Sequence, residues 1–407
     1  MISERGTSMK IAALILSVFL ALGTAAGIAE ASPINAMILV NGGFYHGEPF
    51  LRDEDGQWYV PLAAVSALTG FDAPVLEDGY IDWAGFWMDS TCSDFIFRDD
   101  TLYAALYLLQ DAGMKVKETT LYGTDVVAIS SSEPLDDSWA ASRYVAHALG
   151  AIDGYDYMNC REAFEENYRK NFSVFEVDIS MTADGVPVLV HEWSQYKAAV
   201  QNGDSSVEVE IPPTLDQFRT QKLRGEYTAL TFEDLVNLMV QYPDITVITD
   251  MKETDKDNVT KIFGAVIELA KSIDPSVLDR IVPQVYNNEM IDWINALYPW
   301  RSMVYTFYML PNRTTKADAF LYGYSKGIRV FTMGKEAYDM FALSLAEALD
   351  CKVYLHTVND WSKFNFEMDT LHTWGIYTDV LDPLSMEGVE TWADETVSEA
   401  AENTDAE

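Results

Sequence analysis

Basic residues are scarce in this chain of 407 residues, which carries 27 lysines and arginines against 64 aspartates and glutamates. The formal net charge of −37 disfavours nucleic acid as a partner, because phosphate contacts need Lys and Arg. It also argues against nonspecific attraction to anionic membranes. Part of the acidity lies in residues 388–407, which we expect to form a solvated, disordered tail.

Cysteine is also rare, and the three that occur, Cys92, Cys160 and Cys351, are far apart. Their odd number and wide spacing do not indicate a disulfide framework. The sequence has neither a Cys-x-x-Cys pair nor a His-Glu-x-x-His pattern, so zinc sites of the finger or metalloprotease type are not indicated. Hydrophobic residues make up 49% of the chain, which is enough for a large core in two or three domains.

Residues 1–32 have the features of a signal peptide. Met9-Lys10 gives a positive start, an apolar run extends from Ile11 to Leu22, and small residues suited to cleavage follow. The run is short for a transmembrane helix, which needs ~20 apolar residues, and an uncleaved membrane anchor is the alternative. We therefore expect a secreted or cell-surface protein.

Residues 34–129 predict a small α+β domain. Two short strands flank a glycine turn, and a third strand leads into a helix that ends at Gly70. Residues 101–113 predict a helix, and residues 115–130 predict a hairpin around Tyr122-Gly123. The segments ILVNGG and WYVPLAAVSALTG resemble the copper amine oxidase N-terminal-like domains of exported bacterial proteins. The resemblance implies a surface or spacer module that could associate with the cell surface, and no copper chemistry follows from it.

The pattern changes after a polar, proline-containing stretch, residues 130–142, which predicts a linker. Short β-branched runs then alternate with helical stretches, which is typical of βα units around a parallel sheet. Residues 143–387 have the length of a (β/α)8 TIM barrel. The predicted strands are 143–147, 174–179, 186–191, 245–251, 280–286, 302–307, 328–333, 352–358 and 375–380.

Nine predicted strands exceed the eight places of such a barrel. Parallel neighbours need a crossover of a dozen or more residues, whereas the second and third runs are separated by a short segment containing Asp184-Gly185, a hairpin signal. We therefore expect an antiparallel β-hairpin insertion. A two-residue turn would put Asp178 opposite His191 and gather Glu176, Asp178 and His191 on one face, whereas a longer turn would break this grouping.

Candidate catalytic groups lie where the predicted parallel strands end, because active sites of these barrels form at that edge. Strand ends and hairpin together supply His147, Glu176, Asp178, His191, Asp250, Lys252, Gln284, Tyr305, residues 357–359 and residues 378–379. Three neighbouring carboxylates repel one another unless a cation compensates, and oxygen ligands suit Mg²⁺ or Ca²⁺. Two histidines suit general acid and base catalysis near neutral pH.

Each of these residues alone also has a purely structural interpretation. A single histidine at a strand end is commonly a hydrogen-bonded structural residue, and Asp250 with Lys252 could be a simple ion pair. His46, His356 and His372 keep the structural interpretation because they fall outside the predicted cluster.

The stretch from Tyr144 to Trp193 resembles the opening of the glycerophosphodiester phosphodiesterase family, within the phosphatidylinositol-specific phospholipase C-like superfamily. The family pattern is a His at the first strand end, an Asn-initiated helix, Glu-x-Asp, Thr-x-Asp-Gly and a strand ending in His-Asp or His-Glu. All occur here in that order. The later segments ITDMKE, IVPQVY, LHTVND and GIYTD match further family blocks, so the resemblance covers roughly residues 143–385.

The resemblance implies roles for the matching residues. His147 and His191 would be the acid–base pair. Glu176, Asp178 and Asp250 would bind a divalent metal, Ca²⁺ or Mg²⁺. The implied substrate-binding residues are Asn159, Lys252, Gln284 and Trp193, although Trp193 fits core packing equally well.

Two departures from the family pattern affect this interpretation. Residues 147–150 read His-Ala-Leu-Gly where His-Arg-Gly is usual, so the arginine that normally binds phosphate is missing. Lys252 or another residue such as Arg161 would have to replace it. The third metal ligand is usually Glu and here is Asp250, which is shorter by one methylene.

We therefore expect an exported, metal-dependent phosphodiesterase that acts on glycerophosphodiesters, phospholipid headgroups or a polyol-phosphate polymer. A non-catalytic binding barrel and a lyase that forms a cyclic phosphate are the alternatives. Substrate specificity is expected in loops, above all in residues 194–230, which the sequence predicts to be a long non-helical insertion covering the cleft.

Overall fold

A computed structural model describes residues 31–71, 73, 80–83, 86–89 and 92–386. The acidic tail and all but two residues of the predicted signal peptide lie outside this range. Within it, no helix combines the length and the apolar character needed to cross a membrane.

The elements before residue 143 form small sheets with two helices. The strands are β1 (Ser32–Pro33), β2 (Met37–Val40), β3 (Gly43–Phe44), β4 (Leu51–Arg52), β5 (Trp58–Pro61), β6 (Tyr80–Trp83), β7 (Phe86–Asp89), β8 (Phe95–Arg98), β9 (Thr101–Ala105), β10 (Lys115–Leu121) and β11 (Thr124–Ser130). One sheet has the strand order β1, β4, β5, β9, β8, a second has the order β10, β11, β2, β3, and β6 pairs with β7 in a hairpin. The helices are α1 (Leu62–Thr69) and α2 (Leu106–Asp111).

Two sequence predictions in this region have different outcomes. Helix α1 ends at Gly70 as expected, because Gly70 adopts the left-handed conformation (φ 73°) and donates its N–H to the carbonyl of Ser66. The helix predicted over residues 101–113 is wrong in its first five positions, which form β9. That strand lies between β5 and β8 and pairs with both, so sheet pairing outweighs the helical tendency of the segment.

The second half of the chain forms a closed barrel. Its strands are β12 (Tyr144–Ala146), β13 (Val174–Met181), β14 (Pro187–Leu189), β15 (Lys222–Leu223), β16 (Tyr227–Thr228), β17 (Thr246–Asp250), β18 (Ile281–Val285), β19 (Val304–Thr306), β20 (Val330–Gly334), β21 (Lys352–His356) and β22 (Gly375–Thr378). Eight of these strands are parallel, and β12 closes the barrel by pairing with both β13 and β22. The predicted (β/α)8 barrel is confirmed.

Helices cover the outside of the barrel. They are α3 (Arg161–Arg169), α4 (Trp193–Gln201), α5 (Leu215–Thr220), α6 (Phe232–Gln241), α7 (Lys256–Ile273), α8 (Asn288–Leu297), α9 (Lys316–Ser325), α10 (Met340–Ala348) and α11 (Trp361–Leu371). Several begin at a side chain that accepts a hydrogen bond from the backbone three residues on, as Thr231, Asp255, Asn287 and Thr315 do. The prediction that residues 194–230 are non-helical is wrong, because they contain α5 and all of α4 except its first residue.

The predicted hairpin is present, but its register differs from the expectation. Strand β14 pairs antiparallel with β13, and Ile179 faces Leu189. The turn has three residues, since the Thr182 N–H bonds the Val186 carbonyl and Gly185 adopts φ 83°. Asp178 therefore aligns with Val190 rather than with His191.

The described N-terminal elements pack against barrel helices α9 and α10. Leu121 and Val126 belong to the same hydrophobic core as barrel residues. The Tyr122 hydroxyl lies 2.6 Å from Ser344 Oγ, and Lys117 forms an ion pair with Asp350. These contacts hold the sheet of β10, β11, β2 and β3 against the outer helices of the barrel, away from the carboxyl ends of its strands.

Residues 138–141, within the predicted linker, close the amino end of the barrel. Ala140 is fully buried against the lowest layer of the barrel, and its carbonyl accepts a hydrogen bond from Trp374 Nε1 (2.7 Å). Trp139 stacks on Tyr354 at 5.9 Å and donates its indole N–H to Ser302 Oγ (2.8 Å). We call residues 138–141 the floor segment.

Replacement of Trp139 by alanine should destabilise the protein. The change removes a half-buried indole and leaves Ser302 without its donor, so we expect a loss of about 2–3 kcal/mol in the free energy of unfolding. The matched control is Trp87→Ala, because Trp87 is 73% exposed and should cost less than ~0.5 kcal/mol. Equal denaturant midpoints for the two variants would show that Trp139 contributes no more to stability than an exposed tryptophan.

Candidate active site

Three buried carboxylates lie together at the carboxyl edge of the barrel. Glu176 and Asp178 alternate along β13, so both point into the barrel, and Asp250 ends the neighbouring strand β17 opposite Asp178. Their relative exposures are 1%, 2% and 6%. One oxygen of each lies within 4.8 Å of the others, which confirms the proximity that the sequence predicted.

Each carboxylate also has one buried oxygen without a hydrogen-bond partner. These atoms are Glu176 Oε1, Asp178 Oδ1 and Asp250 Oδ1. Burial and the charge of Asp178 raise the pKa of Glu176 well above its usual range. Burial likewise raises the pKa of Asp250, although Lys252 opposes the shift. Unpaired oxygens and mutual repulsion are both relieved by a hard cation, so these residues fit a divalent metal ion.

The remaining oxygens of the three carboxylates are held by protein groups. The backbone N–H of Ala148 donates to Glu176 Oε2 (2.7 Å). Asn159 donates from Nδ2 to Asp178 Oδ2 (2.9 Å) and accepts at Oδ1 from the Asp178 backbone N–H (3.2 Å). Lys252 Nζ donates to Asp250 Oδ2 (2.8 Å). The structure thus gives Asn159 the role of orienting Asp178, and leaves one oxygen of each acid without a hydrogen-bond donor.

His147 follows β12 and is held by a chain of polar groups. Its Nδ1 lies 2.8 Å from Asp379 Oδ1, and its Nε2 lies 4.0 Å from Glu176 Oε2. Asn359 fixes Asp379 through a 2.6 Å bond from Nδ2 to Oδ2. Burial alone would lower the pKa of His147, but the hydrogen bond to Asp379 and the charge of Glu176 raise it to about 9. Position at a strand end was the sequence signal for Asp379.

His191 reaches the same site even though the predicted hairpin register is wrong. It lies beyond the last paired residue of β14, so the loop before α4 sets its position. The imidazole Nδ1 lies 2.9 Å from Gln195 Oε1. The ring of Tyr157 stands between the two histidines, at 4.7 Å from His147 and 4.4 Å from His191. Tyr157 comes from an irregular loop without a sequence pattern, and sequence reasoning missed it.

A cavity of ≈ 210 Å³ joins these groups. Its lining consists of His147, Tyr157, Glu176, His191, Asp250, Lys252, Gln284, Tyr308, His356, Thr357 and Tyr377. Trp193 instead packs on Tyr196 (5.5 Å) and lines a neighbouring cavity of ≈ 460 Å³, which also contains His191 and Lys252.

His356 corrects the sequence interpretation, which placed it outside the cluster. It ends β21 at the same edge as the other strand ends and lines the cavity. Its Nε2 is buried without a hydrogen-bond partner. Burial and the charge of His147 lower the pKa of His356 to about 3, so the ring is neutral at physiological pH.

Lys252 is the cation that lines the cavity. Its ammonium group lies 2.8 Å from Asp250 Oδ2, 3.7 Å from Asp178 Oδ1 and 3.3 Å from the Tyr308 hydroxyl. Residues 147–150, where the family has an arginine, form a tight turn in which Ala148 and Leu149 are fully buried. Neither Ala148 nor Leu149 can supply the positive charge of that arginine.

Comparison with known proteins assigns the barrel to a family. The sequence model of the glycerophosphoryl diester phosphodiesterase family matches residues 143–382. No curated protein matches the chain significantly.

Three solved structures illustrate the similarity. A protein from Silicibacter pomeroyi, proposed to be a glycerophosphoryl diester phosphodiesterase, is 19% identical (61% of this chain, 91% of that chain, TM-score 0.48). An Oleispira antarctica phosphodiesterase, solved with its product sn-glycerol-3-phosphate, is 15% identical (58% and 93%, TM-score 0.46). A glycerophosphodiester phosphodiesterase from Parabacteroides distasonis is 17% identical (58% and 92%, TM-score 0.45).

The family match covers more than half of the chain, and it contains both histidines, the three carboxylates and Lys252. The chain therefore belongs to the glycerophosphoryl diester phosphodiesterase family, a family of phosphoric diester hydrolases.

Proposed function

We propose that this protein is exported and hydrolyses glycerophosphodiesters with the help of a bound divalent cation, Ca²⁺ or Mg²⁺. The observation that carries the proposal is the cluster of three buried carboxylates, each with one oxygen that lacks a hydrogen-bond partner, beside a cavity lined by His147 and His191. The signal-like composition of residues 1–32 supports export. Membership of the family supports the substrate class.

Glu176, Asp178 and Asp250 would hold the cation through their unpaired oxygens. When bound, such a cation neutralises the non-bridging phosphate oxygens and lowers the pKa of an attacking hydroxyl or water. Lys252 adds a second positive charge on the same side of the cavity, where it can bind a phosphate oxygen.

The two histidines divide the proton transfers. One of them takes the proton from the nucleophile, and the other protonates the leaving oxygen. His147 and His191 lie on two sides of the Tyr157 ring, so they can reach a bound diester from two directions. Asp379 holds His147 in one orientation and keeps the proton on Nδ1, which leaves Nε2 facing the cavity.

Alanine at either histidine should abolish most of the activity. We expect His147→Ala and His191→Ala to lower kcat by roughly 10²–10⁴-fold, because each removes one proton-transfer group. Release of sn-glycerol 3-phosphate from glycerophosphocholine measures the effect, and phosphorus NMR separates hydrolysis from cyclic phosphate formation. His372→Ala is the control, since His372 is exposed. Turnover unchanged in both variants would refute the assignment.

Glu176→Gln should stabilise the metal-free protein and weaken its stabilisation by metal. Glu176→Gln relieves repulsion, so it should raise the melting temperature in EDTA. The wild type should gain about 2.7 kcal/mol at a metal concentration 100-fold above Kd, and the variant should gain less. Asp369→Asn, at an exposed position on α11, is the control. If the melting temperature of the wild type is the same with Ca²⁺, with Mg²⁺ and with EDTA, metal binding is contradicted.

Asp379 should affect turnover rather than substrate binding. Asp379→Asn keeps the size of the side chain but removes the negative charge that stabilises the imidazolium form of His147. We therefore expect kcat to fall at least tenfold, because His147 then contributes less to general acid–base catalysis. KM should change less than about twofold, because Asp379 does not line the cavity. Asp369→Asn again serves as control. A rise in KM at constant kcat would assign Asp379 to substrate binding.

A further inference from the structure

A cavity of ≈ 210 Å³, distinct from the one that Trp193 lines, opens beside the catalytic cavity and shares Tyr157 and His191 with it. Apolar side chains such as Met158 and Leu223 form part of its wall, and both are buried. Because His191 contacts both cavities, a group bound here lies on the His191 side of a diester in the active site. The cavity therefore has the position of a subsite for one of the two alcohols of the substrate.

One positive group lines this cavity. Arg224 belongs to the turn between β15 and β16, and its backbone N–H donates to the carbonyl of Ala199 (2.7 Å). Its guanidinium carbon lies 3.6 Å from the centroid of the Tyr155 ring. The buried Nε has no hydrogen-bond partner, and no carboxylate among the described residues lies within ion-pair distance. A stacked guanidinium outside any ion pair is suited to bind a carboxylate.

Two negative groups line the same cavity. Asp156 and Glu192 are both exposed, and they flank the cavity from the loop before Tyr157 and from the loop before α4. Neither forms an ion pair with a lysine or arginine of the described residues. The cavity thus offers one cation and two anions to its occupant, so a purely anionic or a purely cationic group would meet repulsion on one side.

We propose that this cavity binds the alcohol part of the diester and prefers an alcohol that carries both a carboxylate and an ammonium group, as a serine headgroup does. Arg224 binds the carboxylate, and Asp156 and Glu192 attract the ammonium group. The inference rests on the proposed phosphodiesterase activity and names the substrate class within it. It also gives a function to the insertion that contains α4, α5 and the turn around Arg224.

The test compares three diesters of sn-glycerol 3-phosphate, with serine, with ethanolamine and with glycerol, on the full chain with divalent metal. Arg224→Gln should lower kcat/KM for the serine diester by about tenfold or more, the usual effect of losing a charged hydrogen bond. The ethanolamine and glycerol diesters, which lack the carboxylate, should change less than about twofold. Their retained turnover shows at the same time that the variant is folded.

Two further variants sharpen the test. Asp156→Asn should lower kcat/KM for the serine and ethanolamine diesters but not for the glycerol diester. Arg219→Gln is the matched control, because Arg219 lies on α5 of the same insertion and pairs with Glu233 at the surface (2.7 Å). It should leave all three diesters unchanged.

The outcomes separate the subsite from the activity itself. If Arg224→Gln affects all three diesters equally, or none, the carboxylate subsite is refuted while the phosphodiesterase stands. If the wild type hydrolyses none of the three diesters with any divalent metal, the proposed function fails and the subsite fails with it.

Discussion

Repulsion among three buried carboxylates is the constraint on which the rest of this site depends. At 4.8 Å, two such charges repel by on the order of 3 kcal/mol at the effective dielectric of a protein. Lys252 and the hydrogen bonds from Ala148 and Asn159 offset only part of this repulsion. The barrel must therefore hold the three acids in place against their own charge, and it does so because two adjacent parallel strands carry them.

The same arrangement explains how acid–base groups reach the acids. His147, His191 and His356 each come from a different strand end or from the loop behind it, so all three approach one point from different directions. Their environments then separate their chemistry. His147 is charged because acids surround it, whereas His356 is neutral because it is buried among positive groups. Identical side chains thus acquire different protonation states from the different charges that surround them.

Much of this was predictable from the sequence, for identifiable reasons. Strand periodicity and the rule that active sites form at carboxyl ends predicted the barrel, Glu176, Asp178 and Asp250. Turn length was not predictable, because Asp184-Gly185 suits two-residue and three-residue turns alike. Tyr157 was missed because irregular loops carry no periodic signal. His356 was dismissed although its strand end gave the same signal as that of Asp250.

The floor segment has a consequence for how the barrel is delimited. Similarity to the family begins at residue 143, immediately after Ala140 and Trp139 have closed the amino end of the barrel. A fragment cut at that boundary would retain every group of the site yet expose Val145, Val174 and Tyr354 to water from below. In this chain the residues that cover the barrel core therefore extend beyond the segment that matches the family, at least to the floor segment.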